Sequence, residues 1–433
     1  MKGILKAFFV VLLALPTFAQ GESSVIEEPM GDLTLRQAVS LALTKNLELQ
    51  AFSFAIRIRE AQALQAGLSP NPHLDVEVEN AAGSGGSGKF SGFGKSETTI
   101  QLSQLIELGG KRTHRIAAAT LSKDLTKWDY ETKRMDVLTK VSKAFTDVLS
   151  AQEQLTLMLE LFHLAEKVNS TVSQRVQAGK VSPIEEIKVG VALSSTRIDM
   201  ERAKIKLQTA RIRLAAAWGN NKPKFKVCKG NLLMISSLPA MDSLSNVIAS
   251  NPDLARWATE IAQRQAVVDR EKSHSIPDLT LSGGYRRLEE NNDNTIVFGV
   301  SIPLMFFNRN QGTIQASLDQ LQKAELDQRA AEVRVHSALT EAYQSLKTAH
   351  SEVIILQAQV LPGAQKAFDA INEGYLFGKF GFLDVLDSQR TLFQAKTQYL
   401  NAFTRYHKAV ADVERLIGKP LASFNLADGG LRR

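Results

Sequence analysis

Few residues in this sequence have types and spacing that could do chemistry, and most of them are carboxylates. Asp384 and Asp387 lie one helical turn apart at the start of a predicted helix, and other acids alternate along residues 73–80. The seven histidines show no i, i+4 pair or other metal-ligand spacing, and no Ser/His/Asp set stands in a catalytic motif. Residues 109–112, Gly-Gly-Lys-Arg, lack the spacing of a phosphate-binding loop. We therefore predict no enzyme, no cofactor and no structural metal site.

Residues 73–80 alternate between acidic and apolar side chains, which is the period-two pattern of a β-strand. One face carries the acids and the other the apolar residues, Asp75, Glu77 and Glu79 against Leu74, Val76 and Val78. Residues 99–103, 278–282 and 295–302 alternate in the same way. Each segment is near the ~9–11 residues with which a tilted strand crosses a bilayer. We predict two membrane hairpins with these acids facing a lumen. A surface sheet of a soluble domain is the alternative for a single hairpin.

The first nineteen residues carry the pattern of a secretory signal peptide. Lys2 and Lys6 precede an apolar run at residues 7–15, and residues 17–19 resemble a small-residue cleavage site. The run is too short to span a bilayer, and no later stretch of about 18 apolar residues predicts a transmembrane helix. Cys228 is the only cysteine, so we expect neither an internal disulfide nor a lipidated N-terminal cysteine. The formal net charge of +7 is mild and interspersed, which does not indicate nucleic-acid binding.

The chain is predicted to contain two copies of one structural unit. Matching landmarks recur at offsets near 200 residues, pairing Asn46 with Asn251, Pro72 with Pro277, and Gly179 with Gly378. Each unit has the predicted order helix, strand, loop, strand, long helix, tight turn and helix. We therefore divide the chain into a signal peptide at 1–19, a first repeat at 33–218, a linker belt at 219–250 and a second repeat at 251–420.

Two long helices dominate the prediction, at residues 111–177 and 309–377. At ~1.5 Å per residue, each is about 100 Å long. Apolar residues recur every seven positions in the first of them, with one polar break at Gln152, which is the spacing of a coiled coil. Four shorter helices are predicted to stack end to end in pairs against the long ones, at 47–69 with 183–217 and at 252–275 with 382–417.

The ends of these helices carry two further signals. Ser182, Pro183 and Glu185 occupy the cap, first and third positions of a helix, which predicts a capping box. Pro362 interrupts the second long helix at a position where the first has His163. Because proline removes a backbone hydrogen bond, we predict a kink there. We further predict that the second helical hairpin bends inward and moves when the tube opens.

Four strands are too few for a closed membrane barrel, which needs about eight. An open sheet edge in lipid would leave backbone groups unpaired, at a cost of several kcal/mol each. If the strands enter a membrane, several chains must therefore share one barrel. The competing hypothesis is an exported coiled-coil stalk or adhesin, which would have no need of paired alternating strands.

Over nearly all of its mature length, the chain resembles the outer-membrane efflux protein (TolC) family. The resemblance rests on the duplication, on residues 105–112 and on residues 374–387. It implies a mainly helical homotrimer, with a shared twelve-stranded β-barrel in outer-membrane lipid and a coiled-coil α-barrel in the periplasm. It also implies docking on a periplasmic adaptor protein and an inner-membrane RND pump.

Two stretches, residues 74–80 and residues 97–99 followed by 109–112, are similar to the heavy-metal branch of the family. That branch serves cobalt–zinc–cadmium-type pumps, which implies a passive export duct for heavy-metal cations. Drug efflux and type I protein secretion are alternative cargoes of the same fold.

The resemblance also implies two functional groups of residues at the far end of the tube. The periplasmic gate comprises Asp384, Asp387, Tyr375 and Glu185. The adaptor-docking tip comprises Gly179, Lys180, Val181, Gly378, Lys379 and Phe380. The alternative to a gate is that these acids only stabilise helix ends. Asp384 and Asp387 also suit a helix N-terminus, and Glu185 suits the capping box.

Overall fold

The computed structural model describes residues 27–81, 92–421 and 423. The predicted signal peptide and residues 82–91, which join the first two predicted strands, lie outside the described residues. In chain order the elements are β1 (Asp32–Thr34), α1 (Leu35–Lys45), α2 (Leu47–Ala66), β2 (His73–Glu79), β3 (Glu97–Ile106), α3 (Lys111–Gln177), α4 (Pro183–Ala216), β4 (Val227–Lys229), α5 (Met241–Ser245), α6 (Pro252–Ser273), β5 (Leu279–Leu288), β6 (Asp293–Ser301), α7 (Gln311–Ile355), α8 (Leu361–Leu376) and α9 (Phe382–Ile417). Among these described helices, none combines the length and apolar character that a membrane span needs.

The first long helix, α3, runs unbroken for 67 residues, as predicted. Both α2 and α4 pack along it, and α6 and α9 pack along α7, so the predicted stacking of short helices against long ones is confirmed. Two short helices end before the predicted residues 69 and 275, α2 at Ala66 and α6 at Ser273. Prolines at positions 70, 72 and 277 follow these ends, and a proline disfavours helical backbone in the residue before it.

The second long helix is not continuous, and the prediction of one helix over 309–377 is wrong in this respect. Residues Leu356–Val360 form a π-helical segment between α7 and α8, directly before Pro362. A proline ring clashes with the carbonyl four residues earlier, here that of Ala358, which lies inside the π-helical segment. The wider π-helical turn therefore accommodates Pro362 while the helical path continues.

Two asparagines join the stacked helices end to end. Asn46 caps α2 by accepting a hydrogen bond from the Leu49 amide (3.0 Å), and its Nδ2 donates to the Ala217 carbonyl at the end of α4 (2.7 Å). Asn251 caps α6 in the same way through the Asp253 amide (2.7 Å). Its Nδ2 donates to the last carbonyls of α9, at Leu416 (2.6 Å) and Arg415 (3.1 Å). Each side chain thus satisfies backbone groups of two helices.

Strands from both repeats form one antiparallel sheet in the order β2-β3-β5-β6. The two hairpins meet along β3 and β5, where Ile100 lies opposite Tyr285. The second hairpin loop is short, because β5 extends to Leu288 and β6 begins at Asp293. Asn292 has a left-handed φ of 55°, a conformation that asparagine tolerates, and this closes the tight turn. β2 and β6 remain as the sheet edges.

A small belt packs on α3 near its middle, and sequence patterns did not predict its strands. β1 pairs in parallel with β4, so that Leu33 lies opposite Cys228. Gln152 of α3 forms two hydrogen bonds with Cys228, because the Cys228 amide donates to Gln152 Oε1 (2.8 Å) and Gln152 Nε2 donates to the Cys228 carbonyl (3.0 Å). The polar break in the heptad pattern therefore holds the belt strand in place.

Candidate functional site

One face of the four-stranded sheet is apolar and exposed. The register aligns Val76, Ile100, Tyr285 and Ile296 in one row across all four strands. The exposed apolar residues of this face include Leu74, Val76, Val78, Ile100, Leu102, Leu281, Tyr285, Ile296, Phe298 and Val300. Phe298 is 83% exposed and Ile296 73%. Soluble monomers rarely expose so large a contiguous apolar patch, so this face is suited to lipid.

The opposite face of the sheet carries the acids predicted to line a lumen. Glu77 lies opposite Thr99, which lies opposite Arg286. The Arg286 guanidinium is 3.3 Å from Glu97 and 3.8 Å from Glu79, and its Nε donates to Thr99 (3.0 Å). This arginine therefore offsets part of the negative charge.

The other two predicted acids on this face have different surroundings. The Ser103 hydroxyl donates a hydrogen bond to Asp75 (3.0 Å). Glu77 forms no ion pair within the described part of the chain, and β2 is exposed along its whole length. The structure therefore brings the predicted acids onto one polar face, where Glu77 keeps an unpaired charge.

At the far end of the helices, the two hairpin turns have the same backbone geometry. Gly179 and Gly378 have left-handed φ values of 68° and 73°. The Lys180 amide donates to the Arg175 carbonyl (2.9 Å), and the Lys379 amide donates to the Gly374 carbonyl (2.8 Å). Both turns are therefore Schellman motifs, which require glycine where φ is positive. This explains the glycines that the repeat pattern aligns at the tip.

Tyr375 lies in an apolar cluster that joins the two helical hairpins at the tip. The cluster contains Val172, Val189 and Phe382, with Val168, Val176, Val181, Tyr375 and Leu386 packed against it. The Arg175 guanidinium stacks on the Tyr375 ring at 4.8 Å, and the Phe382 ring lies edge-on at 6.1 Å. The Tyr375 hydroxyl is buried without a hydrogen-bond partner among the described residues. Arg175 is the contact here that the sequence did not predict.

The predicted gate acids lie at the starts of two neighbouring helices. Asp384 and Asp387 are exposed in the first turns of α9, and Asp384 accepts a hydrogen bond from the Gly381 amide (2.8 Å). The predicted capping box of α4 is not formed. Ser182 accepts weakly from the Ile184 amide (3.4 Å), while the Glu185 amide bonds to the Ser182 backbone carbonyl instead (2.9 Å). Glu185 is half-buried, and in the described part of the chain its side chain makes no cap bond.

Within residues 27–81, 92–421 and 423, no group of three or more His, Cys, Asp or Glu side chains is placed to hold a metal ion. Cys228 is buried, and burial raises the pKa of its thiol to about 12. The thiolate is the reactive and metal-binding form, so this cysteine is unreactive at neutral pH.

Curated relatives match most of the chain. The cobalt-zinc-cadmium resistance protein CzcC of Cupriavidus metallidurans is 37% identical over 90% of this chain and 91% of its own length. The nickel-cobalt-cadmium resistance protein NccC of Alcaligenes xylosoxydans xylosoxydans is 23% identical over 79% of this chain and 74% of its own.

Solved structures share the fold. A membrane protein from Pseudomonas aeruginosa matches with a TM-score of 0.77 and 18% identity, covering 89% of this chain and 92% of its own. The CmeC outer membrane channel of Campylobacter jejuni matches with a TM-score of 0.73 and 17% identity, covering 100% and 98%. The family described as outer membrane efflux protein matches residues 38–220 and 243–419. The chain belongs to the outer membrane efflux protein family.

Proposed function

We propose that this chain is the outer-membrane channel subunit of a tripartite efflux system and that it exports heavy-metal cations passively from the periplasm. The observation that carries the proposal is the exposed apolar face of the sheet, which joins directly to a helix of 67 residues. One molecule thus combines a lipid-facing element with a helical wall about 100 Å long. The metal cargo is supported by the similarity to CzcC and NccC, whose names record resistance to cobalt and cadmium.

A homotrimer would complete the sheet. β2 and β6 are unpaired edges, and pairing each edge with the next copy would give twelve strands in one closed barrel. The helices offer matching surfaces. α4 exposes a stripe with heptad spacing, made of Ile184, Val191, Ile198 and Ile205. α4 also carries seven Lys and Arg against four Asp and Glu, whereas α7 carries four against six. This complementarity supports contact between α4 of one copy and α7 of the next.

The tip turns are proposed to contact a periplasmic adaptor that links the tube to an inner-membrane RND pump. Gly179 and Gly378 face open space, and Lys180 and Lys379 are exposed beside them. Phe380 is partly exposed and packs so closely on Gly374 that a Cβ there would overlap its ring. Gly374 therefore fixes the position of an apolar side chain at the tip. Val181 is the equivalent position in the first hairpin.

The gate is proposed to be a ring of Asp384 and Asp387 from three copies, with Tyr375 and Glu185 beside it. Both aspartates are exposed and close to the tip cluster that holds the hairpins together. Asp75, Glu77 and Glu79 would place further acid at the other end of the duct. Rings of carboxylates attract cations without the close geometry that would trap them. The π-helical segment before Pro362 is proposed as the bending point of the second hairpin.

The function is tested in a metal-sensitive strain that lacks its own channel of this type. Expression of this chain with its cognate adaptor and pump should restore growth in zinc, cobalt or cadmium, and the purified protein in mild detergent should scatter light as a trimer. A monodisperse monomer would remove the channel proposal. A trimer that restores export of drugs or of an iron-chelating siderophore but not metal resistance would instead assign a different cargo.

A further inference from the structure

The belt carries a concentration of positive charge that the channel function does not use. Residues 219–250 contain four lysines and one acidic residue, Asp242, although the whole chain has 52 basic and 45 acidic residues. Lys229 pairs with Asp32 (2.6 Å), but Lys222, Lys224 and Lys226 are exposed and form no ion pair within the described ranges. Glu28 accepts hydrogen bonds from Asn220 and from the Lys224 amide (both 2.6 Å) and offsets part of this charge, so the unpaired positive charge of the described belt lies mainly on Lys222 and Lys226.

A groove of about 520 Å³ opens beside these lysines, between the belt and the α3–α4 pair. Its polar lining is Lys204, Arg211 and Lys222 with the amides Gln208 and Asn221, and no acid lines it. Lys204 is partly offset by Glu201 at 2.9 Å. Arg211 donates to the Phe225 carbonyl, but its Nε is buried without a partner among the described residues. Four apolar side chains complete the lining, so the groove combines cations, amide donors and an apolar floor.

We propose that this groove and the lysines beside it bind the carboxylate-bearing peptides of peptidoglycan. The inference rests on the proposed function, which places the helical wall in the periplasm. Gln152, which holds the belt, is 41 residues along α3 from Lys111, so the belt lies about 60 Å from the sheet. Lipid headgroups are out of reach at that depth, and nucleic acid is absent from the compartment. A tube that crosses the periplasm must pass through the peptidoglycan mesh, whose peptides carry free carboxylates.

Three copies strengthen the interaction. A belt on the inner surface would obstruct the duct, so the proposal places all three belts on the outside of the trimer. Each groove alone would bind weakly, because its lysines are exposed and screened by salt. One continuous polymer that reaches three belts gains avidity without any new contact.

The test is co-sedimentation of the purified detergent-solubilised trimer with isolated peptidoglycan sacculi. We expect binding at low salt, about tenfold less binding near 0.5 M salt, where the Debye length is under about 5 Å, and none with sacculi whose carboxylates have been amidated. Lys222→Glu with Lys226→Glu should reduce binding at least tenfold. The matched control, Lys272→Glu with Lys419→Glu, makes the same charge change at exposed lysines outside the belt and should bind like the parent.

Equal binding by the belt variant and the control, or undiminished binding to amidated sacculi, would overturn the inference. Light scattering and single-channel conductance are measured on the same preparations. If the parent protein forms neither a trimer nor a conducting channel, the proposed function is wrong. A conducting trimer that does not bind sacculi would contradict only the belt inference. Lys222 and Lys226 have exposed side chains, so the belt variant should have the same melting temperature as the parent protein.

Discussion

Asn251 is the side chain on which we expect the second helical stack to depend. It is fully buried, and it bonds to the first turn of α6 and the last turn of α9 at the same time. Replacing it with alanine removes three hydrogen bonds. The Asp253 amide and the carbonyls of Arg415 and Leu416 would then be left without a partner where water does not reach.

The size of the effect follows from these bonds. Loss of an asparagine N-cap costs about 1 kcal/mol, and buried carbonyls left without donors cost roughly 1–3 kcal/mol more. We therefore expect Asn251→Ala to lower the free energy of unfolding by about 3 kcal/mol. For a chain of 433 residues, with an unfolding entropy of ~2.1 cal/mol/K per residue, this corresponds to a fall of about 3 °C in melting temperature.

The assay is circular dichroism melting of the detergent-solubilised protein at one fixed scan rate, because unfolding of such a protein is expected to be irreversible. Asn46→Ala is the matched control. Asn46 makes the equivalent junction in the first repeat but is only half-buried, so water replaces its lost bonds and the fall should be about 1 °C. Asn251→Asp separates the cap from the junction, because it keeps the acceptor for α6 but loses the donor for α9. If Asn251→Asp has the same melting temperature as the parent protein, the bonds from Asn251 to α9 do not stabilise the helical stack.

One reactivity measurement and three substitutions test the remaining sites. Burial raises the pKa of the Cys228 thiol from 9.0 to about 12. At pH 8 the thiol should therefore react with a maleimide about a thousandfold more slowly in the native than in the unfolded protein. Equal rates would show that the belt opens. Pro362→Ala should let α7 and α8 form one α-helix and change the resting conductance in planar bilayers, and an unchanged conductance would limit the π-helical segment to a structural role. Replacing Asp384 and Asp387 together with alanine should raise conductance and weaken block by a divalent ion added on the periplasmic side; unchanged block would exclude them as the gate ring. Arg286→Gln should free Glu97 and Glu79 and raise the cation-to-anion permeability ratio measured from reversal potentials, and an unchanged ratio would place this cluster outside the conduction path.

Periodic sequence patterns were sufficient to predict most of the architecture. Heptad spacing and a following glycine predicted α3 at 111–177, and the duplication with its turn glycines predicted α9 at 382–417, which are the observed bounds. Period-two alternation found all four strands of the sheet. The predicted TolC-like fold, outer-membrane location and absence of an enzymatic role are confirmed by the family and the solved relatives.

What the sequence did not predict depends on single contacts, two of them local and one between distant segments. The π-helical segment before Pro362 differs from a simple kink by one hydrogen-bond register, and no residue type encodes that choice. The Ser182 capping box failed because the Glu185 amide bonds to a backbone carbonyl that competes with the serine hydroxyl. Arg175 was overlooked because its partner, Tyr375, is 200 residues away in the other repeat.

Polar residues at buried positions of the helices could have predicted further contacts between segments. Gln152 breaks a heptad pattern, and an isolated amide in an apolar seam costs stability unless both its donor and its acceptor are satisfied. A glutamine side chain has the hydrogen-bonding groups of a peptide unit, so it can pair with the amide and carbonyl of one extended residue, as it does with Cys228. The same reasoning applies to Asn46 and Asn251, which recur at one offset and each complete two helix ends. In a long amphipathic helix, a lone amide at a core position therefore predicts that another backbone segment docks there.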